Sequence, residues 1–220
     1  MSDMVMVACS YYHCLYISGG SGKCVHRVAL PNNSATNWPV NDKPSFLSVT
    51  DKHSVLVTCR EVRLIKEFST DGKLLREIQV PQDVTSPSHT VQLSNGQFIV
   101  CHGGPADPVG LHRVCLIGSD WHVVKSYGGP KGSGSQQMDT PCHLAVDRNS
   151  FVFVVDLNND RVLLLSPELT YVRDVVSRDQ LKWSPLKLFL DVQRRRLYVA
   201  DNKWENADCT AGRVVIFSLV

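Results

Sequence analysis

Residues 140–176, TPCHLAVDRNSFVFVVDLNNDRVLLLSPELTYVRDVV, carry the pattern that decides the fold class of this chain. Polar connectors rich in Asp, Asn, Ser and Pro separate four short apolar runs, at residues 144–146, 151–155, 162–165 and 171–176. Runs this short and rich in Val, Leu and Phe are typical of strands, and the connectors favour turns. The stretch therefore predicts four antiparallel strands. Because the runs are nearly continuous rather than alternating, both faces of this small sheet should be covered.

The same pattern recurs along the chain. Proline precedes a predicted first strand at Pro44, Pro87, Pro141 and Pro185, at intervals of 43, 54 and 44 residues, and insertions at 103–110 and 128–135 explain the long interval. Such a period is typical of a β-propeller, in which each repeat forms one sheet, or blade. We therefore predict a single all-β domain over residues 1–220, with repeats near 4–40, 41–83, 84–135, 136–180 and 181–220. The last repeat offers three strands instead of four.

The segment DLNNDRV at residues 156–162 resembles the NHL repeat, whose signature reads roughly V-x-D-x-x-N-x-R-[IV]. The resemblance extends over nearly the whole chain, but the match is specific only in the fourth repeat. It implies an NHL-type β-propeller of the six-bladed family, present here as about five four-stranded blades with the last incomplete. It also implies a binding platform more often than an enzyme.

In animals, propellers of this family are often the C-terminal recognition module of tripartite-motif ubiquitin ligases. The sequence contains no Cys/His zinc series and no heptad run that would indicate RING, B-box or coiled-coil segments. Ligase activity would therefore require a RING domain in a longer parent chain. The leading hypothesis is a non-catalytic scaffold that binds a protein, which could be a ligase substrate. The alternatives are single-stranded RNA binding and a metal-dependent lyase.

Composition limits the classes of partner. The 220 residues are 43% hydrophobic, and 23 basic and 21 acidic residues leave a formal charge of only +2. This balance gives no global attraction to nucleic acid or to an anionic membrane. No signal peptide, membrane span or small-molecule cofactor is predicted. None of the eight cysteines forms a C-x-x-C pair, so we expect reduced thiols and a cytoplasmic location.

Two interpretations apply to the signature residues Asp156, Asn159 and Arg161 and to Asp201, which aligns with Asp156. Their side chains could bind a ligand, or they could hold turns and pack against a neighbouring blade. The structural interpretation is favoured because these residue types recur wherever the turn recurs.

His89 and His143 occupy the same place in successive repeats, two residues after the repeat proline. Histidines on neighbouring first strands could hold zinc, which resembles in part the NHL-like lyase that completes peptide amidation. The equivalent positions in the second and fifth repeats hold Phe46 and Lys187, so the repeat supplies no third histidine. We therefore predict no metal, no cofactor and no catalytic residue.

The predicted binding face combines aromatic and basic residues. In a propeller, the loop between the second and third strands emerges at the same end as the loop that enters the next blade. The residues of these loops, with the signature arginine and its copy, are Trp38, Lys131, Arg161, Lys182, Trp183, Lys203, Trp204 and Arg213. Such a set suits a protein partner or single-stranded RNA. Residues 202–212 are predicted to form an elaborated loop, and Arg194, Arg195 and Arg196 should lie on the opposite face.

Overall fold

The computed structural model describes residues 5–19, 22–104, 110–205 and 208–219. Within them the regular structure is β-strand, apart from two single-turn 3-10 helices at Leu157–Asn159 and Arg178–Gln180. The strands in chain order are β1 (Val5–Cys9), β2 (Cys14–Gly19), β3 (Cys24–Ala29), β4 (Ala35–Pro39), β5 (Phe46–Val49), β6 (Val55–Cys59), β7 (Leu64–Phe68), β8 (Leu74–Gln79), β9 (Pro87–Gln92), β10 (Phe98–His102), β11 (Leu111–Ile117), β12 (Val123–Pro130), β13 (Pro141–Val146), β14 (Val152–Asp156), β15 (Arg161–Leu165), β16 (Tyr171–Val176), β17 (Ser184–Asp191), β18 (Arg196–Glu205) and β19 (Asp208–Ser218).

These strands form five sheets, each built from strands that are consecutive in the chain. β1–β4, β5–β8, β9–β12 and β13–β16 are four-stranded sheets, and β17–β19 form a three-stranded one. The sheets fall within the five predicted repeats, so the predicted all-β repeat and the incomplete last sheet are confirmed. The strand β4 was not recognised in the sequence, because ATNWP contains few strand-forming residues.

The chain divides into two compact units, Met1–Val100 with Ile117–Val123, and Cys101–Leu116 with Val124–Val220. In the first unit the core includes Tyr16, Trp38 and Phe68. In the second unit a core of Phe153, Val155, Leu197 and other apolar side chains lies between the fourth and fifth sheets. All five residues of β14 are buried. This agrees with the prediction that both faces of this sheet are covered.

Trp38 belongs to the core of the first unit, which corrects its placement on a binding face. Its side chain is 5% exposed, and its ring centroid lies 5.9 Å from that of Tyr16 and 6.1 Å from that of Phe68. Asp71-Gly72, a residue pair typical of hairpin turns, forms the turn between β7 and β8, and the Gly72 N–H donates to Ser69 O at 3.0 Å. Gly72 has φ of +89°, and a Cβ there would lie 2.7 Å from Trp38 Cδ2. The turn therefore packs directly against the buried indole.

Residues 202–212 do not form the predicted loop. β18 continues to Glu205 and β19 begins at Asp208, so the extra residues lengthen the hairpin, and 206–207 lie outside the described residues. Asn202 pairs with Gly212, and Trp204 pairs with Cys209. In the predicted insertion at 103–110, residues 105–109 also lie outside the described part. Within the described residues, no helix is long and apolar enough to cross a membrane.

Candidate recognition site at the start of the fifth sheet

The signature residues of the fourth repeat form a buried hydrogen-bond network around Asp156, whose side chain is 0% exposed. Its carboxylate accepts hydrogen bonds from Asp139 N at 2.7 Å, Asn159 Nδ2 at 2.8 Å and Arg161 Nε at 2.8 Å. Burial raises the pKa of Asp156, although the bonds from Asn159, from the Asp139 backbone and from Arg161 oppose the rise. The network links β14 and β15 to the segment that leads into β13.

The fifth repeat contains a copy of this network around Asp201, which is also 0% exposed. Asp201 Oδ2 accepts from Lys182 N at 3.0 Å and Trp183 N at 3.3 Å, and Arg213 Nη2 lies 2.9 Å from it. Burial acts to raise the pKa of Asp201, but the bonds from Arg213 and from the two backbone N–H groups outweigh it and lower the pKa overall. This carboxylate therefore stays charged and fixes the segment that leads into β17.

Above this carboxylate, two cations lie against one tryptophan. Lys182 Nζ is 4.7 Å from the centroid of the Trp183 ring, and Arg213 Cζ is 6.0 Å from it. These distances fall within the range of cation–π interactions. Trp183 is half-buried, Lys182 is exposed, and 40% of the Arg213 side chain is exposed. We call Lys182, Trp183 and Arg213 the Trp183 patch.

The chain before the Trp183 patch adds further charge. The side chain of Arg178 is 84% exposed, and its Nε lies 3.5 Å from Asp160 Oδ2. Ser184 Oγ donates to Asp160 Oδ1 at 2.7 Å. Asp160 therefore joins the 3-10 turn that precedes the patch to the first residue of β17.

The other predicted face residues are not part of the Trp183 patch. Lys131 is exposed, with Nζ 3.6 Å from Asp139 Oδ1, and Arg161 is 19% exposed and donates through Nη2 to Gln137 O at 3.0 Å. Lys203 is exposed on β18. The backbone of Trp204 lies near the same end of the sheet, and its side chain is outside the described part. The structure thus brings together Lys182, Trp183 and Arg213 from the predicted set.

The arginine run is located at the other end of the fifth sheet from the Trp183 patch. Trp183 precedes β17, whereas Arg194 and Arg195 follow its last residue, Asp191. Arg194 Nη1 lies 2.9 Å from Asp191 Oδ2. Within this sheet, the two sites are therefore separated by the full length of an eight-residue strand.

The two histidines considered as metal ligands belong to different units. His89 Nε2 lies 3.3 Å from Leu47 O in the first unit, and His143 Nδ1 accepts from Leu188 N at 3.4 Å in the second. Among the described residues, no group of three or more His, Cys, Asp or Glu side chains is placed to hold a metal ion. The described donor groups therefore give no support to the zinc alternative.

Sequence reasoning missed an open groove of 880 Å³ in the second unit. Tyr127 and Tyr171 line it together with Arg161, and an ion pair between Lys125 and Glu168 lies at its edge. Burial raises the pKa of Tyr127. Its walls come from the outer strands β12 and β16 and from residues 133–136, so only the packing of distant segments creates it.

Neither a protein-family model nor a curated protein matches the chain, but solved structures do match. Virginiamycin B lyase from Staphylococcus aureus is 11% identical with a TM-score of 0.65, covering 99% of this chain and 70% of that one. A luciferin-regenerating enzyme is 14% identical with a TM-score of 0.69, covering 97% and 71%. A gluconolactonase from Xanthomonas campestris is 12% identical with a TM-score of 0.52, covering 90% and 82%.

These similarities correct one prediction and support another. The expectation that the chain performs no chemistry is contradicted, because the similar structures are enzymes, namely a lyase, a luciferin-regenerating enzyme and a lactonase. At such identities the similarity extends to the fold alone. The NHL type and the tripartite-motif family are not specifically matched. The repeated sheets and the structural similarity together show that the chain has a β-propeller fold, in which the described residues form five blades, the last of three strands.

Proposed function

We propose that this propeller is a recognition module that binds a protein partner through the Trp183 patch. The observation that carries the proposal is a half-exposed indole with two cations against it, fixed from below by a buried carboxylate. Trp and Arg are the residue types that most often dominate the affinity of protein interfaces. A fixed patch loses little conformational entropy on binding, which favours affinity.

The arrangement of the ring favours a protein over RNA. A base that stacks on Trp183 needs an open ring face, and Lys182 and Arg213 already lie against the indole. Stacking on a face that Lys182 or Arg213 covers would have to displace that cation. A protein side chain that has a carboxylate beside an apolar group would instead contact the indole edge with its apolar part. Its carboxylate would pair with the two cations without displacing them. The formal charge of +2 also provides little general attraction to a polyanion.

The resemblance to NHL repeats suggests the cellular role in which such binding would be used. In a longer parent chain that contained a RING domain, the Trp183 patch would select the substrate of a ubiquitin ligase. A cytoplasmic location is part of the proposal. The seven cysteines with described side chains are free thiols, which suits a reducing compartment.

Affinity capture from cells, with and without ribonuclease, tests the class of partner. We expect protein partners that are retained after ribonuclease treatment and lost with Trp183→Ala. Loss of all captured material on ribonuclease treatment would instead identify RNA as the ligand.

Measuring the affinity of a captured protein for variants of the propeller then tests which face binds it. Replacing a dominant interface residue by alanine removes about 2 kcal/mol or more, so Trp183→Ala should weaken binding roughly 30-fold. Lys182→Ala should weaken it less and reduce its salt dependence. The matched control is triple alanine replacement of Arg194, Arg195 and Arg196 at the other end of the sheet, which should leave affinity unchanged. If the arginine variant loses binding while Trp183→Ala keeps it, the proposed face is wrong.

A further inference from the structure

The open groove of the second unit shares no residue with the Trp183 patch. It is lined by part of β12, by the loop at residues 133–136, by Arg161 and by residues 168–171. All of these segments belong to the second unit. The volume of 880 Å³ lies within the range of small-molecule sites, which is about 300–1,000 Å³. The groove is therefore large enough for a ligand of several rings.

The signature residues of the fourth repeat hold the loop that lines this groove. Asn159 Nδ2 donates to Gly132 O at 3.0 Å, directly before the loop. Arg161 Nη2 donates to Gln137 O at 3.0 Å, directly after it. Within the loop, Gly134 N donates to the Gln137 side chain at 3.0 Å. The loop is thus fixed at both ends before a ligand arrives, which lowers the entropic cost of binding.

The turn that follows β15 is fixed as well. Ser166 Oγ accepts hydrogen bonds from Glu168 N and from Thr170 N, both at 3.2 Å. Leu169 anchors the turn in the interior, since it is 3% exposed. Glu168, Thr170 and Tyr171 are exposed and line the groove. The turn therefore presents three polar side chains on a rigid support.

The charged side chains of the groove are already paired. Lys125 forms an ion pair with Glu168. Arg161 Nε lies 2.8 Å from Asp156 Oδ2, and its Nη1 lies 4.0 Å from Asp174 Oδ2. An anionic ligand would have to compete with these carboxylates, and a cationic ligand would have to compete with Lys125 and Arg161. Paired charges still form strong hydrogen bonds to hydroxyl groups. The groove therefore favours an uncharged ligand that is rich in hydroxyl groups.

Hydroxyl groups and aromatic rings form most of the remaining lining. The hydroxyl groups belong to Ser126, Tyr127, Ser133, Ser135, Thr170 and Tyr171. Each of them can both donate and accept a hydrogen bond. Tyr171 is 50% exposed, and its hydroxyl donates to Asp174 Oδ1 at 3.1 Å, which helps to orient the ring. The one aliphatic side chain among the described lining residues, Leu169, is buried, so the groove offers no apolar pocket to a peptide side chain.

We propose that this groove binds a neutral oligosaccharide. The Tyr171 ring packs against the C–H face of one sugar ring, and the pair of Lys125 and Glu168 forms hydrogen bonds to its hydroxyl groups. A pyranose matches this lining because it combines an apolar C–H face with a rim of hydroxyl groups. Tyrosine likewise combines an apolar ring with a polar end. The site is independent of the Trp183 patch, and binding involves no covalent step.

An oligosaccharide array tests the class of ligand. The probes are short neutral oligosaccharides, with sulfated and sialylated ones on the same array. We expect one or more neutral probes to be retained. Calorimetric titration of the best one should give the same affinity, within about twofold, at about 0.05 M and 0.5 M salt, since binding pairs no charges. Failure of every neutral probe to bind more tightly than about 1 mM would overturn the proposal, as would retention of the acidic probes alone.

Variants of one tyrosine test the location. Tyr171→Ala should weaken binding of the retained saccharide about tenfold, whereas Tyr171→Phe, which keeps the ring, should weaken it by less than about threefold. The matched control is Tyr12→Ala, at a tyrosine of the first unit that is 41% exposed, and it should leave affinity unchanged. Equal effects of Tyr171→Ala and Tyr12→Ala would overturn the assignment to this groove. Trp183→Ala should retain saccharide binding, so failure of the recognition proposal is distinguishable from failure of this one.

Discussion

Arg213 Nη2 lies 2.9 Å from Asp201 Oδ2, and the two residues face each other across β18 and β19. Asp156 and Arg161 form the same pair across β14 and β15. In each copy the carboxylate also accepts backbone N–H groups from the segment that enters the first strand of its sheet. The repeat therefore uses one aspartate to hold an arginine and an incoming chain segment together. In the fifth sheet, that incoming segment carries Trp183.

Asp156→Ala should destabilise the protein strongly. The substitution removes a buried carboxylate and leaves Arg161, 19% exposed, without its partner. Loss of one member of a buried ion pair typically lowers the free energy of unfolding by about 3–5 kcal/mol. Urea unfolding monitored by circular dichroism measures the change. Asp120→Ala, at a side chain that is 71% exposed, is the matched control and should change stability by less than about 0.5 kcal/mol. Equal effects of the two variants would refute a structural role for Asp156.

Asp201 should contribute stability that depends on pH. Its folded-state pKa is lowered, so the contribution is present above the unfolded pKa of about 3.9 and disappears as the pH falls through the folded value. Asp201→Asn should therefore lower the free energy of unfolding by a constant amount between pH 7 and pH 5. The difference between the two proteins should shrink below about pH 4. Denaturant titrations across this range measure it, and a difference that grows with acid would contradict the assignment.

The turns and the repeat could be predicted because their signals are local. The prolines, the Asp71-Gly72 turn and the apolar runs lie within single repeats, and all of them appear in the structure. The alignment of Asp201 with Asp156 and of Arg213 with Arg161 is also confirmed. Asp156 pairs with Arg161 in adjacent strands, and Asp201 pairs with Arg213 in the same way. The length of the segment between Asp201 and Arg213 did not indicate that this segment continues the strands β18 and β19.

Trp38 could not be placed from its neighbours. Ala35, Thr36, Asn37 and Pro39 are exposed, so the local sequence resembles a polar loop. The burial of Trp38 depends on β2, β7 and the Gly72 turn, which lie up to 34 residues away in the sequence. Its position is a tertiary effect that no local pattern contains.

The expectation that the chain performs no chemistry was wrong for a different reason. It was inferred from a family resemblance, and a propeller fold supports both binding and catalysis. Lys187 was noted in the sequence only as the residue that interrupts a series of histidines. Its burial arises from the packing of two sheets, so the lowering of its pKa could not be predicted from its neighbours in the chain.

Gly72→Ala should destabilise the protein more than Gly96→Ala. Both glycines have positive φ, +89° and +87°, so the backbone strain of an added side chain is similar. The new Cβ at position 72 would meet Trp38 at 2.7 Å, whereas nothing lies within 4 Å at position 96. Overpacking of this kind typically lowers the free energy of unfolding by a further 1–3 kcal/mol, roughly. Chemical denaturation of both variants gives the difference, and equal losses would show that the turn does not press on Trp38.

Lys187→Met should stabilise the protein at pH 7 and should do so less at high pH. Burial lowers the pKa of Lys187 from its ordinary value of 10.5, so the folded state favours the neutral amine. The favourable contribution of such a group is present above the unfolded pKa and is lost as the pH falls through the folded pKa. At pH 7 the lysine therefore opposes folding, and methionine, of similar shape, removes this effect. Denaturant unfolding of both proteins at pH 7 and pH 10 measures the change.

Lys66→Met is a control for this prediction, because it should change the free energy of unfolding at pH 7 in the opposite direction. Asp42 and Glu77 raise the pKa of Lys66 despite its burial, so its contribution is present below the unfolded pKa and is lost as the pH rises through the folded value. Removing Lys66 leaves two carboxylates without their shared cation and should lower the free energy of unfolding at pH 7 by about 3–5 kcal/mol. A gain in stability for Lys187→Met with a loss for Lys66→Met distinguishes a lysine whose pKa is lowered by burial from one whose pKa is raised by carboxylates. A loss of stability for both at pH 7 would mean that Lys187 is stabilised as a cation, which contradicts a pKa lowered by burial.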